Sequence, residues 1–132
     1  MSTAVDLDRF YECFVQAIGV ERDDLAMDKT LLDDLGADSL DLLDLVFNLE
    51  QAFGITIPRG EFERRARTIL GDAPFEENGV ITDAGVEALR IGMPEAASRI
   101  HTGMRTHQLP MLFTVQSFYN MVAERVATPE PV

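Results

Sequence analysis

Cysteine and long apolar runs are scarce in this sequence. A single cysteine, Cys13, cannot form an internal disulfide, so a disulfide-stapled secreted fold is excluded and a reducing, cytoplasmic setting is expected. No stretch approaches the roughly 18–20 consecutive apolar residues of a membrane-spanning helix. The first residues, which include Asp6 and Asp8, lack the basic and apolar regions of a secretory signal, and we expect none. Cys13 falls within a helical pattern, where we expect it to fill partly buried apolar space.

Basic side chains are also few, and they are unevenly placed. The 132 residues include 23 Asp or Glu and 11 Lys or Arg, a formal net charge of −12. Residues 1–58 hold 13 of the acidic side chains and only three of the basic ones, a balance of −10. Such a segment repels nucleic-acid phosphates and attracts proteins with basic patches. The charge therefore predicts protein partners and no nucleic acid, while the length and the 46% apolar content suit one hydrophobic core.

The spacing of potential ligands predicts no metal centre. A calcium loop needs alternating ligands around a glycine turn and a late bidentate glutamate, and the acidic cluster of this chain lacks that order. The cluster consists of Asp33, Asp34, Asp38, Asp41 and Asp44. His101 and His107 lie six residues apart without a cysteine partner, and both are expected at the surface.

Ser39 is the residue of greatest chemical interest. The run Leu35-Gly36-Ala37-Asp38-Ser39-Leu40 places its hydroxyl at the start of a long amphipathic pattern. A nucleophilic serine needs a base within hydrogen-bond reach, and the neighbouring chain supplies neither histidine nor lysine. A serine that another enzyme modifies needs only exposure and a fixed position. The sequence therefore predicts that Ser39 is an attachment point.

The pattern after Ser39 predicts a helix whose start favours an anion. The apolar residues recur at spacings of three and four and form one inward stripe, namely Leu42, Leu45, Val46, Leu49 and Phe53. Asp38 is a suitable N-cap, which places Ser39 at the first helical position, and Gly54 is a typical C-terminal residue. Backbone amides and the helix dipole at this end favour a negatively charged group such as a phosphodiester.

These residues resemble acyl carrier proteins. The run Asp33-Asp34-Leu35-Gly36-Ala37-Asp38-Ser39-Leu40-Asp41 is similar to the family's Asp-Ser-Leu motif, and Phe53-Gly54-Ile55-Thr56-Ile57-Pro58 is similar to the end of its second helix. The resemblance covers roughly residues 5–58 and returns near 114–126. It implies that Ser39 carries a 4′-phosphopantetheine arm derived from coenzyme A, with Asp38 and Leu40 as its neighbours in the motif. It also implies that the chain is a carrier and not an enzyme.

The resemblance further implies which proteins bind the second helix. A phosphopantetheinyl transferase would attach the arm. Ketosynthases, reductases, dehydratases and acyltransferases with basic patches would then bind the carrier in turn. The carrier itself is expected to be a monomer. The predicted docking face comprises Asp41, Leu43, Asp44, Phe47 and Glu50. Leu43 and Phe47 lie off the inward stripe, so they either form an apolar docking patch or are covered by additional helices.

The predicted fold is all-α: an antiparallel four-helix bundle of the carrier type, enlarged by short helices between the second long helix and the last. We expect a first helix over 6–18, a long loop over 19–38, a last helix over 114–126 and a disordered tail over 127–132. One domain would span 1–126, with an atypical insertion at 59–112. Within the insertion we expect helices over 61–70, after Thr82 and from Pro94 to about Gly103, with loops between them.

Several functions remain open at this point. The motif is most similar to specialised carriers of fatty acid or lipid synthesis, among them the long carriers that deliver acyl chains to lipid A. A carrier for polyketide or nonribosomal peptide synthesis is the nearest alternative. A helical interaction module that keeps the fold without using the arm is a third possibility. The apolar residues of 59–112 either pack the added helices or shelter a long acyl chain.

Overall fold

The fold is mostly helical, as predicted. In this computed structural model, residues 5–57 and 61–127 are described. The α-helices are α1 (Leu7–Ile18), α2 (Ser39–Phe53), α3 (Glu61–Leu70), α4 (Asp83–Gly92) and α5 (Val115–Ala127). The remaining elements are 3₁₀ segments at Arg22–Asp24, Pro94–Arg99 and Thr106–Leu112, and two short strands, β1 (Glu76–Glu77) and β2 (Val80–Ile81).

The chain divides into two compact units. The first unit consists of residues 1–57 and 114–132, and the inserted unit consists of residues 58–113. That 1–126 forms one domain with an insertion at 59–112 stays a prediction, because the compactness of each unit does not decide whether they unfold together. Ala127 ends α5, and the rest of the predicted tail, 128–132, lies outside the described residues, as does Pro58.

Aromatic side chains fill the core of the first unit. Asp6 caps α1 by accepting a hydrogen bond from the Arg9 amide at 3.2 Å. Phe10 lies at the centre, with its ring edge-to-face against Phe14 at 5.0 Å and Tyr119 at 5.6 Å between centroids. Such pairs add to the stabilisation from burial alone. Helix α1 thus packs on α5 through aromatic rings and on α2 along its length.

One apolar residue at the start of α1 is exposed. Leu7 is 44% exposed, whereas Phe10, Tyr11, Cys13 and Phe14 are buried. Leu7 fits the helical period of these buried residues, but it lies in the first turn of the helix. Cys13 fills apolar space as expected, and burial raises the pKa of its thiol, with the nearby Glu12 carboxylate adding to the effect and Arg9 opposing it.

The loop before α2 is pinned by apolar side chains. Leu25, Leu31 and Leu35 of this long connection are buried, while Leu32 is only half-buried. A long loop persists in a compact fold when it is fixed in this way. The last helix begins where predicted, since the Thr114 hydroxyl accepts a hydrogen bond from the Ser117 amide at 3.1 Å.

A β-hairpin in the inserted unit departs from the predicted loop. Strands β1 and β2 pair antiparallel, and Glu77 opposite Val80 leaves a two-residue turn of Asn78 and Gly79. Both turn residues have positive φ, 53° and 81°. A type I′ turn, whose twist matches that of the flanking strands, requires positive φ at both positions. The Asn-Gly dipeptide is a strong hairpin signal. Strands of two residues, however, are too short for an alternation of apolar and polar residues to be recognised in the sequence.

The end of the inserted unit is also less regular than predicted. The helix expected from Pro94 to Gly103 is a 3₁₀ segment that ends at Arg99, and the connector at 105–113 contains a second 3₁₀ segment. Arginines hold these pieces in place: Arg90 donates two hydrogen bonds to the Ile100 carbonyl, at 3.1 and 2.7 Å, and Arg99 donates one to Leu112 at 2.9 Å.

Many apolar side chains of the inserted unit are buried. Buried members include Phe75, Ile81, Val86, Leu89, Met93, Ile100, Met104 and Leu109. Ile69, an apolar residue near the end of α3, is 43% exposed.

Across 5–57 and 61–127, no helix combines the length and the apolar character needed to cross a membrane.

Candidate functional site

Helix α2 begins at Ser39, and a reciprocal cap fixes its first turn. The Asp38 carboxylate accepts a hydrogen bond from the Asp41 amide at 2.9 Å, and the Asp41 carboxylate accepts one from the Asp38 amide at 3.1 Å. This capping box satisfies two amides that a helix start leaves unpaired. The helix ends at Gly54, whose φ of 64° is the left-handed conformation of a C-terminal glycine. The bounds predicted from the sequence are confirmed at both ends.

Ser39 is exposed at the first helical position. The amides of the first turn and the helix dipole direct partial positive charge toward this end of α2. The two nearest carboxylates, Asp38 and Asp41, are each bonded to a backbone amide, which holds them at the cap. The hydroxyl therefore combines access from solvent with a fixed backbone.

An exposed apolar stripe runs along α2 from the residue next to Ser39. Leu40 is 70% exposed, Leu43 48% and Phe47 59%. Their spacing of three and four residues places them on one side of the helix. The opposite side is buried through Leu45 and Leu49. Leu40 thus extends the predicted patch of Leu43 and Phe47 up to Ser39, which the motif alone did not reveal.

Acidic side chains of α2 differ in how far they are free to meet a partner. Asp44 is exposed beside the apolar stripe. Asp41 is half-buried and occupied in the capping box, and Glu50 is half-buried with its carboxylate accepting a hydrogen bond from the Ile57 amide at 2.8 Å. Asp41 and Glu50 therefore have structural roles besides the docking role predicted for them.

The described ranges contain no group of three or more His, Cys, Asp or Glu side chains arranged around a possible metal ion. His101 and His107 are exposed, as the sequence suggested.

Comparison with known families identifies the kind of site that this segment carries. Residues 8–71 match the family described as phosphopantetheine attachment site, over just under half of the chain. The match extends from α1 through α2 to the end of α3, and it does not include the stretch near 114–126 where the resemblance was expected to return. No solved structure matches the chain.

The matched segment has 4′-phosphopantetheine as its covalent cofactor, and domains of this kind carry groups without catalysing reactions. The local structure fits such a group. Attachment requires a hydroxyl that a second protein can reach, and Ser39 is exposed within the matched range. A phosphodiester at the start of α2 would lie against amides and the positive end of a helix dipole, which favours negative charge.

Proposed function

We propose that this protein is an acyl carrier protein and that Ser39 is the residue that bears its arm. The observation that carries the proposal is the exposed Ser39 hydroxyl at the capped start of α2, inside the segment that matches phosphopantetheine attachment sites. The arm would end in a thiol, and acyl groups would be held on it as thioesters.

Loading of the arm requires a second enzyme, a phosphopantetheinyl transferase, with coenzyme A as the donor. The Ser39 oxygen forms a bond to the phosphorus next to pantetheine, the phosphoanhydride bond of coenzyme A breaks, and adenosine 3′,5′-bisphosphate leaves. The hydroxyl proton goes to a base of the transferase. Asp38 and Asp41 fix the helix start, so the hydroxyl enters this reaction from a defined position.

The enzymes that process the acyl group would bind the exposed side of α2. The stripe of Leu40, Leu43 and Phe47 supplies apolar contact, and Asp44 beside it supplies charge. An acidic face steers a basic partner toward the apolar stripe and speeds encounter. Transferases, ketosynthases, reductases, dehydratases and acyltransferases with basic patches are the proposed partners.

Among pathways, we favour fatty acid or specialised lipid synthesis, including delivery of long acyl chains to lipid A. Support comes from the motif around Ser39 and from the closing Gly54-Ile55-Thr56-Ile57-Pro58 run. The test is to load the arm with acyl groups of different kinds and to measure transfer by partner enzymes. Preference for aminoacyl or polyketide intermediates would instead favour the peptide or polyketide alternative.

Mass spectrometry after incubation with coenzyme A and a transferase tests the carrier function. We expect a gain of roughly 340 Da, the mass of the arm, on the wild-type chain and none on Ser39→Ala. Ser98→Ala is the matched control, because Ser98 is also an exposed serine within a helical segment, and this variant should gain the full mass. An arm on Ser39→Ala would refute the site, and no gain on the wild type would refute the carrier function.

A further inference from the structure

The loop that precedes Ser39 is held by its own hydrogen bonds. The Leu35 amide donates to the Thr30 carbonyl at 3.1 Å, and the Ala37 amide donates to the Leu31 carbonyl at 2.8 Å. Thr30 and Asp34 are bonded reciprocally, backbone amide to side chain, at 2.8 and 3.0 Å. Ala37 immediately precedes Asp38, the cap of α2. The position of Thr30 and Leu31 therefore determines where the start of α2 lies.

The same loop is bonded on its other side to the start of α5. The Val115 amide donates to the Lys29 carbonyl at 3.0 Å, and the Gln116 amide donates to the Met27 carbonyl at 2.9 Å. Thr30 and Thr114 also form an antiparallel bridge. Amides of a first helical turn have no partner within the helix, so the loop satisfies donors that would otherwise need water.

The first turn of α5, which donates these hydrogen bonds, is itself fixed by hydrogen bonds. Thr114 and Ser117 are 3% and 1% exposed, and each accepts a hydrogen bond from the other's amide at 3.1 Å. A buried, reciprocally capped helix start resists displacement because moving it would leave polar groups unpaired. The carbonyls of Met27 and Lys29 are thus bonded to a fixed element. In the chain, this element follows directly after Phe113, the last residue of the inserted unit.

We propose that the first turn of α5 is the positioning element for Ser39. Its amides hold the loop at residues 27–30, the loop holds Ala37, and Ala37 sets the entry to α2, so that Ser39 meets the transferase in one geometry. Val115 acts through its backbone amide and is a positioning residue, remote from the attached group. The inference rests on the proposed function, since it assigns a role in loading Ser39.

Substitution of Val115 separates the hydrogen bond from the packing of the side chain. Proline is well tolerated at the first helical position, and the residue before it must be extended, as the bridge at Thr114 indicates. Val115→Pro removes the donor, and its ring occupies the place of the hydrogen, so the Lys29 carbonyl must move away. Val115→Ala keeps the donor but loses buried methyl groups, because Val115 is fully buried.

The experiment measures transfer of the arm to the full chain, with kcat and KM for the carrier determined separately. Val115→Pro should lower kcat by about tenfold, since small misplacements of a reacting group cost that much or more. KM should not change, because the exposed stripe of α2 is untouched. Val115→Ala should lower the melting temperature yet keep the wild-type kcat. Amide exchange at Ala37 should accelerate in Val115→Pro and not in Val115→Ala.

Each outcome decides the proposal. A folded Val115→Pro variant with the wild-type kcat would overturn it. So would a fall in kcat that is proportional to the fall in melting temperature in both Val115→Pro and Val115→Ala. If Val115→Pro does not fold, Gln116→Pro replaces it, because proline is tolerated in the first turn of a helix and this change removes the amide that donates to the Met27 carbonyl. An unchanged kcat in a folded Gln116→Pro variant would then overturn the inference. If the wild-type chain accepts no arm, the proposed function is overturned as well. If the wild-type chain accepts the arm but the variants do not behave as expected, only this inference fails.

Discussion

Asp38 and Asp41 cap each other across the first turn of α2, each carboxylate accepting a hydrogen bond from the other's backbone amide. Ser39 and Leu40 lie between these two residues, so the reciprocal bonds enclose the proposed attachment site. An N-cap carboxylate is typically worth about 1 kcal/mol. We expect Asp38→Ala to lower the free energy of unfolding by about that amount.

Urea denaturation followed by circular dichroism checks this prediction. Asp38→Asn is the control, because asparagine caps nearly as well as aspartate, and it should keep most of the stability. Equal losses in the two variants would mean that the negative charge, and not the hydrogen bond to the Asp41 amide, is what stabilises the helix start.

The acidic face of α2 gives a prediction about association rates. Asp44→Lys should slow binding to the transferase several-fold at low salt, because it replaces attraction to a basic patch with repulsion. The difference from wild type should shrink at high salt, where charges are screened beyond a few ångströms. Asp23→Lys is the matched control: Asp23 is also exposed in the first unit, and the change in net charge is the same. Equal slowing by both variants would point to net charge alone and contradict a docking face on α2.

Two glycines of α4 should respond oppositely to the same substitution. A Cβ on Gly85 would lie 2.5 Å from the Phe75 carbonyl oxygen and 2.8 Å from a methyl carbon of Ile81. A Cβ on Gly92 would lie 3.6 Å from Ile69, an ordinary contact. We expect Gly85→Ala to destabilise the inserted unit by at least about 1–3 kcal/mol, as overpacking does. Gly92→Ala should stabilise it by about 0.5–1 kcal/mol, as alanine does in a helix.

Thermal denaturation of both variants measures the difference. If Gly85→Ala were neutral, the close approach of α4 to the Phe75 backbone would be disproved. If Gly92→Ala were destabilising, the end of α4 would have a different backbone conformation.

Burial of Cys13 predicts how stability depends on pH above neutrality. The ordinary pKa of the thiol is 9.0, and burial raises it in the folded chain. As pH rises through 9, the unfolded chain therefore releases this proton while the folded chain keeps it, and stability falls. Below that pH both states hold the proton, and the thiol has no effect.

Comparison with Cys13→Ala isolates this contribution. The variant should be less stable near pH 7 because it loses buried volume, and its disadvantage should narrow as the pH rises above 9. A constant difference between the two proteins over this range would show that the folded chain ionises Cys13 as easily as the unfolded chain.

Local signals allowed the site to be predicted from the sequence. Helix α2 has a capping aspartate, a helical apolar period and a terminal glycine, all within seventeen residues of chain, and its bounds agree with the structure. The same holds for Thr82 at α4 and Thr114 at α5. Caps and periods depend on residues close in sequence, which is why they can be read without the fold.

Features that depend on distant residues could not be predicted in this way. Leu7 and Ile69 fit helical stripes but are exposed, because burial depends on what the rest of the chain places against them. The 3₁₀ segments at 94–99 and 106–112 have no clear period and depend on arginine bonds to distant carbonyls. The bonds from Val115 and Gln116 to the loop before α2 join residues more than 80 positions apart, and no local pattern reveals them.

The inserted unit separates α5 from α1 and α2 in the chain, and this separation affects the order in which the first unit assembles. During synthesis α1 and α2 emerge early, and α5 emerges only after the 56 residues of the inserted unit. Joining α5 to its partners closes a loop whose entropic cost rises with the number of disordered residues inside it. The inserted unit is continuous in the chain and has its own core, so its folding shortens that loop before α5 docks. Folding of the inserted unit thus lowers the entropic cost that its 56 residues would otherwise add to completion of the bundle around Phe10.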